Sequence, residues 1–250
     1  MNRYKIMSFN LKNNGISASF HKRADAIKQV IMKYKPDIVA VQEFANYMYR
    51  DLNSLNNMYQ WVLYGRGKTN KIGEECGFLV KKGSFDQVKC QVYWLSDTPT
   101  MPGSKFKNSM FPRIVVIGEF TDAKNTFYVA DTHLDHLLEP VRLRQSVVLA
   151  NLLNNHYPSD RMIVAGDFNA SRQASCIKTL KDMAELEEII AENDGPSIRG
   201  ISSFSMRKEP IDHFFCRSGI QVQSSGIITD QFDGIYPSDH YLLLCEIELR

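Results

Sequence analysis

The segment Arg161–Ala170, RMIVAGDFNA, ends a short apolar run in two polar side chains. Three apolar residues, IVA, are typical of a buried strand, and Gly166 then removes the side chain. Asp167 and Asn169 follow on alternate positions, so an extended backbone points both to the same side. Desolvating a carboxylate there is costly unless the carboxylate is paired or binds a metal ion. The segment therefore predicts a buried strand that presents a functional carboxylate and amide at its end.

The length and composition are those of an ordinary globular protein. The chain has 250 residues, of which 44% are hydrophobic and 23% charged, and it shows no repeat, low-complexity tract or linker. We predict one domain over residues 1–250. The net charge is only +2, so no overall field attracts the protein to nucleic acid or to anionic lipid.

The cysteines and the N-terminal sequence indicate the cellular compartment to expect for the protein. The five cysteines are widely spaced and form no Cys-x-x-Cys pair, which argues against a zinc ribbon or a thioredoxin-type site. The N-terminus shows no signal-peptide pattern, and no run approaches the roughly 18 apolar residues of a membrane span. We therefore expect a cytoplasmic protein with reduced thiols and no membrane span, and we expect a monomer.

Strand-like and helical patterns are interspersed along the whole chain. The predicted helices cover 21–35, about 45–57, 139–157 and segments through about 192. The predicted strands cover 3–11, 37–44, 59–66, 76–82, 85–96, 111–121, 125–136, 161–170, 211–217, 220–228 and 239–249. This pattern predicts an α/β fold in which two β-sheets pack together with helices outside.

Polar residues that bind metals or move protons stand where these strands begin or end. Each alone has an ordinary explanation, such as a turn former or a helix N-cap. Strand ends meet in space, however, and active sites are commonly built from strand-end loops, so we predict one shared pocket. The residues are Asn10, Glu43, His133, Asp167 with Asn169, Asp212 with His213, and Asp239 with His240.

The side-chain types in this set suit one chemistry. Carboxylate and amide oxygens are hard ligands that favour Mg²⁺ or Mn²⁺ over zinc. Histidines beside such a site can stabilise an anionic transition state or transfer protons. A divalent ion that neutralises phosphoryl oxygens while a carboxylate activates water is the arrangement of a phosphate-ester hydrolase.

Six ordered blocks of the sequence carry a family resemblance. They are MSFNL, VAVQEF, DTHLDH, VAGDFNA, IDHFF and PSDHY, and they span residues 7–241. The chain resembles the endonuclease/exonuclease/phosphatase superfamily, which includes deoxyribonuclease I, abasic-site endonucleases, deadenylases, sphingomyelinases and inositol polyphosphate 5-phosphatases. The segment WLSDTPTMPGSK with FPR is similar to poorly characterised bacterial members near the deadenylases and sphingomyelinases. The resemblance implies a four-layer α/β sandwich, two packed mixed β-sheets flanked by helices, and hydrolysis that depends on Mg²⁺, with Mn²⁺ as a substitute.

The resemblance also implies roles for individual residues on the metal side of the site. Glu43 matches the principal metal-binding glutamate, Asn10 the asparagine that supports it, and Asp239 an aspartate near the metal. Lys12 stands where abasic-site enzymes have a carboxylate, which argues against repair of abasic DNA and removes one candidate ligand for a second metal.

Five further positions match catalytic residues of the family. Asp167 matches the aspartate that orients or deprotonates the attacking water, and Asn169 a contact to metal or phosphate. His240 matches the site histidine, and Asp212 the carboxylate that orients it. His133 matches a second histidine, which contacts phosphate or protonates the leaving group.

Three residues around the predicted pocket keep two interpretations each. Arg113 is a substrate-binding candidate that could grip phosphate with two N–H groups, or it is a surface residue. Arg142 reaches the substrate or braces a loop. His213, where the family usually has an aromatic residue, fills a packing position or provides an extra ligand.

Two alternative protein classes and two substrate classes stay open. The motif DTHLDH is similar to the zinc motif of metallo-β-lactamase-type hydrolases, with His133, Asp135 and His136 as ligands, but that interpretation leaves Asn10, Glu43 and GDFN unexplained. A non-catalytic binding module is the other rival. For an enzyme, we favour a phosphodiesterase or nuclease, whose partner is a phosphate ester, with nucleic acid as one candidate. The alternative is a phosphomonoesterase acting on a sugar or inositol phosphate.

Overall fold

Two six-stranded sheets dominate the computed structural model, which describes residues 3–15, 17–69, 72–199 and 209–250. The strands are β1 Arg3–Asn10, β2 Ile38–Phe44, β3 Tyr59–Gly65, β4 Glu75–Lys81, β5 Gln87–Trp94, β6 Ile114–Thr121, β7 Thr126–His133, β8 Met162–Asp167, β9 Glu187–Ile189, β10 Asp212–Cys216, β11 Ile220–Ile228 and β12 Leu242–Leu249. The helices are α1 Ser17–Tyr34, α2 Met48–Leu52, α3 Glu139–His156 and α4 Ser175–Ala184, and a 3₁₀ turn at Asn53–Asn57 follows α2.

Both sheets are mixed. The first has the order β11-β12-β1-β2-β4-β3 and the second the order β5-β6-β7-β8-β10-β9. The pairs β1/β2 and β7/β8 are parallel, whereas the other neighbours within the two sheets are antiparallel. This architecture confirms the predicted α/β sandwich of two packed mixed sheets flanked by helices. The prediction of one domain over residues 1–250 stays a prediction.

Apolar side chains fill three layers between these elements. The central layer lies between the sheets and includes Ile6, Phe78, Phe120 and Phe127, all fully buried or nearly so. A second layer packs α1 and α2 on the outer face of the first sheet, and a third packs α3 and α4 on the second sheet. Each large buried side chain contributes roughly 1.5–3 kcal/mol. The central strands are buried on both faces, and their sequences are therefore nearly continuous runs of apolar residues.

The parallel pairs explain why distant chain segments meet. β1 and β2 end together at Asn10 and Glu43, and β7 and β8 end together at His133 and Asp167. β10 runs antiparallel to β8, so its first residue, Asp212, lies opposite Asp167. The loop before β12 arrives at the same edge because β12 is antiparallel to β1. The predicted site residues are therefore gathered at one edge of the sandwich.

Gly166 is required by the close approach of β7 and β8. Its φ of +144° is rarely adopted by residues with a side chain, and a Cβ atom there would lie 1.9 Å from the carbonyl oxygen of Thr132. Only glycine permits this contact without moving the backbone. The glycine in GDFN thus fixes where Asp167 stands relative to His133.

One sequence prediction of secondary structure is wrong. The helical pattern was expected to continue through about residue 192, but α4 ends at Ala184 and Glu185 adopts a left-handed conformation with a φ of 54°. Residues Glu187–Ile189 then pair with β10 as strand β9. Pairing with an open sheet edge outweighs local helical preference here. None of the described helices is both long and apolar enough to span a bilayer.

Candidate active site

A cavity of about 220 Å³ opens at the edge where the strand ends meet. It contains most of the residues that the sequence predicted for the site. The side chains lining it are Asn13, Glu43, Arg66, Glu74, Phe111, Arg113, His133, His136, Asp167, Asn169 and His240. The cavity thus brings together five of the residues predicted to share a pocket, Glu43, His133, Asp167, Asn169 and His240, and with them Arg113.

Asn10 connects the two central carboxylates, Glu43 and Asp167, through hydrogen bonds. Its Nδ2 donates to Glu43 Oε1 at 3.0 Å and to Asp167 Oδ2 at 2.9 Å. Its Oδ1 accepts the backbone N–H of Lys12 at 2.9 Å, which fixes the orientation of the amide. In this arrangement Asn10 supports the carboxylates with its nitrogen, and its oxygen is occupied by the backbone.

Three side chains of the cavity lie where they could together hold a divalent cation. One ligand atom each from Glu43, His133 and Asp167 lies within 4.8 Å of the others. Burial and then the charge of Glu74 raise the pKa of Glu43, and burial and then Asp212 raise the pKa of Asp167 to about 7. Crowded, buried carboxylates of this kind are relieved by a cation, and oxygen donors suit Mg²⁺ or Mn²⁺. The residues present fit such an ion.

Asp212 and His240 form a buried ion pair beside Asp167. His240 Nδ1 lies 2.8 Å from Asp212 Oδ2, and the hydroxyl of Ser197 donates to the same carboxylate oxygen at 2.5 Å. His240 Nε2 faces Asp167 Oδ2 at 3.8 Å. Although burial opposes the charged form, the charge of Asp212 and its hydrogen bond raise the pKa of His240 to about 10. The imidazole is therefore a cation at neutral pH, with Nε2 directed to the site.

We expect this charge to be measurable in the protein stripped of divalent cations. In an NMR titration, the His240 imidazole should stay protonated well above pH 8, and Asp212→Asn should lower its pKa because the neighbouring charge is removed. The folded-state pKa lies above the unfolded value of about 6.5, so the pair stabilises the fold fully below about pH 6.5. That contribution is lost as the pH rises towards 10. A His240 signal that titrates equally in both proteins would contradict the assignment.

His133 is held in the neutral form at the centre of the cavity. Its Nε2 lies 3.5 Å from Asp167 Oδ2. Burial and then the charges of Arg113 and Arg66 lower its pKa well below the usual value. A neutral imidazole with one N–H can donate a hydrogen bond to a phosphoryl or leaving-group oxygen.

Asn169 is positioned by its own backbone. Its N–H donates to Asp167 Oδ1 at 2.9 Å, and its Nδ2 donates to the carbonyl of Leu134 at 3.2 Å. The amide oxygen is the side-chain group left for a ligand. Asn169 and Glu43 both have positive φ angles, of 49° and 57°, and strained backbone of this kind is concentrated at functional sites.

Two predicted site residues are engaged elsewhere. Asp239, expected near the metal, pairs with Lys12 Nζ at 2.9 Å and does not line the cavity. Arg142, a substrate-binding candidate, lies outside the cavity and donates to the carbonyl of Asp135 and to Glu139 at 2.9 and 3.0 Å. Arg142 therefore braces the loop between β7 and α3, which is the structural alternative of its two interpretations.

The described residues do not assemble the alternative zinc site. The carboxylate of Asp135 accepts the backbone N–H groups of Leu137 and Leu138 and the hydroxyl of Ser109, so its oxygens are engaged within the loop before α3. His213 lies between Glu188 and the carbonyl of Ala170, at 3.0 and 2.8 Å, which supports its packing role.

Five cavity residues were not predicted as site residues from the sequence. Arg66 follows β3 and Glu74 precedes β4, so both are polar residues at strand ends, the same signal that identified the other candidates. His136 appeared only as a ligand of the zinc alternative. Asn13 and Phe111 lie on loops, and no sequence signal placed them at the cavity.

The fold and the site together define a class of phosphate-ester hydrolases. The model of the Endonuclease/Exonuclease/phosphatase family matches residues 7–240, and the chain belongs to this family. Among curated proteins, none matches the sequence significantly.

Solved structures share the fold over nearly the whole chain. An endonuclease/exonuclease/phosphatase from Bacteroides vulgatus has a TM-score of 0.89 at 21% identity, covering 100% of both chains. A mannosyl-6-phosphatase from Bacteroides thetaiotaomicron has a TM-score of 0.85 at 23% identity, covering 98% of this chain and 100% of its own. TDP2 of D. rerio, complexed with a single-strand DNA product, has a TM-score of 0.75 at 16% identity, covering 99% and 100%. At these identities the likeness establishes the fold.

Proposed function

We propose that this protein hydrolyses a phosphate ester by metal-assisted attack of water on phosphorus. The observation that carries the proposal is the convergence of Glu43, Asp167 and the Asp212–His240 pair on one cavity. These groups come from both sheets and from four separate strand ends. A fold needs no such collection of buried charges for its stability, because burying them is costly.

Each residue has a role that its geometry supports. When bound at Glu43, a divalent cation polarises the phosphoryl oxygens. Asp167, with a pKa raised to about 7, orients the attacking water and takes up its proton. His240 presents a positive N–H to the phosphate, and Asp212 fixes its tautomer. The neutral His133 donates its N–H to an oxygen of the phosphate or of the leaving group.

The size of the cavity favours a small phosphomonoester, such as a sugar phosphate. At about 220 Å³, it lies below the usual range of roughly 300–1,000 Å³ for small-molecule pockets. Phe111 and Arg113 line it. A nuclease uses an extended cationic groove with stacking aromatic residues. Lys105, in the loop between β5 and β6, instead donates to the carbonyls of Ser109 and Met110. The phosphodiesterase favoured from the sequence is the second candidate.

Parallel assays with Mg²⁺ test this function. We expect release of inorganic phosphate from sugar phosphates and p-nitrophenyl phosphate, with a higher kcat/KM than for bis-p-nitrophenyl phosphate, oligo(A) or plasmid DNA, and loss of activity in EDTA. Higher kcat/KM on a diester or on nucleic acid would establish the second candidate instead. No hydrolysis of any ester with Mg²⁺ or Mn²⁺ would overturn the enzyme assignment in favour of a binding module.

A further inference from the structure

Arg113 is a buried cation without a carboxylate partner. Its side chain is only 4% exposed and lines the cavity. Its Nη2 lies 3.2 Å from His136 Nδ1, and its Nε has no hydrogen-bond partner. Within the described ranges, no carboxylate oxygen lies within 4.0 Å of its guanidinium. Burying the Arg113 charge without a direct ion pair is costly. An anionic group of the substrate could therefore bind there favourably.

A second arginine strengthens the positive character of the same end of the cavity. Burial lowers the pKa of Arg66, Glu74 opposes this shift and the charge of Arg113 adds to it. Glu74 balances the charge of Arg66 through an ion pair of 2.6 Å. Among the described residues, Arg113 interacts with a carboxylate only at longer range: against the effect of burial, its charge adds to the hydrogen bonds that lower the pKa of Asp135, without a direct ion pair.

Phe111 and His136 build a wall around these arginines. The Arg66 guanidinium lies 4.4 Å from the centre of the Phe111 ring, and the His136 ring is stacked on the same aromatic side chain at 6.2 Å. Phe111 lines the cavity and is 40% exposed. Packing against the Phe111 ring restricts the Arg66 guanidinium. A pre-organised guanidinium binds an anion at lower entropic cost.

The arginines occupy a different part of the cavity from the reacting groups. Arg66, Arg113 and His133 also line a second, smaller hollow, whereas Asp167, Asn169 and His240 line only the main cavity. His133 is shared by the two regions, and its Nε2 lies 3.5 Å from Asp167 Oδ2. In the proposed function, the hydrolysed phosphate lies beside Asp167, Asn169 and His240.

We propose that Arg113 and Arg66 form a second anion-binding subsite, which holds an anionic group of the substrate other than the phosphate that is hydrolysed. The substrate is then a small phosphate ester that carries a second phosphate or a carboxylate. Its two anionic groups lie on either side of His133. This inference extends the proposed function and depends on it for the identity of the reacting groups. The subsite itself is a property of the metal-free protein and can be tested without turnover.

Binding of inorganic sulfate in EDTA tests the subsite directly. Isothermal titration of the wild-type protein should show one sulfate bound per chain, and Arg113→Gln should weaken it at least about tenfold because charge-assisted hydrogen bonds are lost. The matched control is Arg144→Gln, which removes an exposed arginine paired with Asp97 and should leave sulfate affinity unchanged. Arg66→Gln provides a second variant should Arg113→Gln fail to fold. Wild-type protein that binds no sulfate, or variants that bind it as tightly, would overturn the subsite.

Substrate discrimination tests the role of the subsite in turnover. The readout is the ratio of kcat/KM for a sugar bisphosphate to kcat/KM for p-nitrophenyl phosphate, which has a single anionic group. Arg113→Gln should lower this ratio at least about tenfold. An unchanged ratio would mean that the arginines contact the hydrolysed phosphate itself, and would overturn the second subsite. If no phosphate ester is hydrolysed, the proposed function fails while the sulfate titration still decides whether the anion site exists.

Discussion

Glu43→Gln is expected to reduce Mg²⁺-dependent hydrolysis of the best phosphate ester by about a thousandfold or more. The Glu43 carboxylate belongs to the proposed cation site, where a divalent ion would neutralise its charge, and such an ion contributes several kcal/mol to the transition state. The same variant should lose the increase in Tm that Mg²⁺ gives the wild-type protein. Activity and thermal unfolding are measured with and without Mg²⁺.

The stability of the metal-free variant separates this effect from misfolding. Burial and Glu74 raise the pKa of Glu43, so its charge is unfavourable in the folded protein and the neutral amide should give an equal or higher Tm. Glu75→Gln is the matched control, because Glu75 is a buried glutamate that accepts a hydrogen bond from Tyr49 at 2.7 Å and does not line the cavity. Full activity in Glu43→Gln, or equal loss in Glu75→Gln, would contradict the assigned role.

Asp167→Asn is expected to lower kcat by about 10²- to 10⁴-fold, the usual contribution of a general base. The variant keeps the shape of the side chain but cannot take up the proton of the attacking water. The Mg²⁺-induced rise in Tm should persist, because Glu43 is still present. Steady-state kinetics and thermal unfolding in Mg²⁺ measure both effects.

A remote aspartate provides the control for this second substitution. Asp230 is paired with Lys33 and accepts a hydrogen bond from Tyr34 at the end of α1, and it does not line the cavity. Asp230→Asn should therefore retain wild-type kcat. If Asp167→Asn turns over at the wild-type rate, another group activates the water. If it loses the response to Mg²⁺ as completely as Glu43→Gln, Asp167 is primarily a metal ligand.

The sequence was sufficient to predict the layers and the convergence of the strand ends. Continuous apolar runs marked strands buried on both faces, and the polar residues at their ends marked the edge where parallel strands finish. Gly166 is an example of such a local signal. A residue without a side chain directly before Asp167 already indicates that a neighbouring strand approaches closely, and in the structure this strand contributes Thr132. These features follow from the spacing of apolar and polar residues along each strand, which can be read directly from the sequence.

Contacts between loops were not predictable in the same way. Asp239 shares the polar strand-end signal with His240, yet Lys12 neutralises it from a loop more than two hundred residues earlier. Arg66 and Glu74 reach the cavity because the β3–β4 hairpin turns towards it. Which loop side chains meet depends on tertiary geometry, and no periodicity in the sequence encodes it. The early end of α4 has the same origin, since strand pairing after Glu185 replaces the helix.

The most direct test is the position of a bound cation. Crystals grown with Mn²⁺ and measured at the manganese absorption edge should show an anomalous peak within coordination distance of the Glu43 carboxylate, on the side of Asp167. No peak at Glu43, with manganese bound only at other surface carboxylates, would contradict a hydrolytic metal centre at this edge of the sandwich.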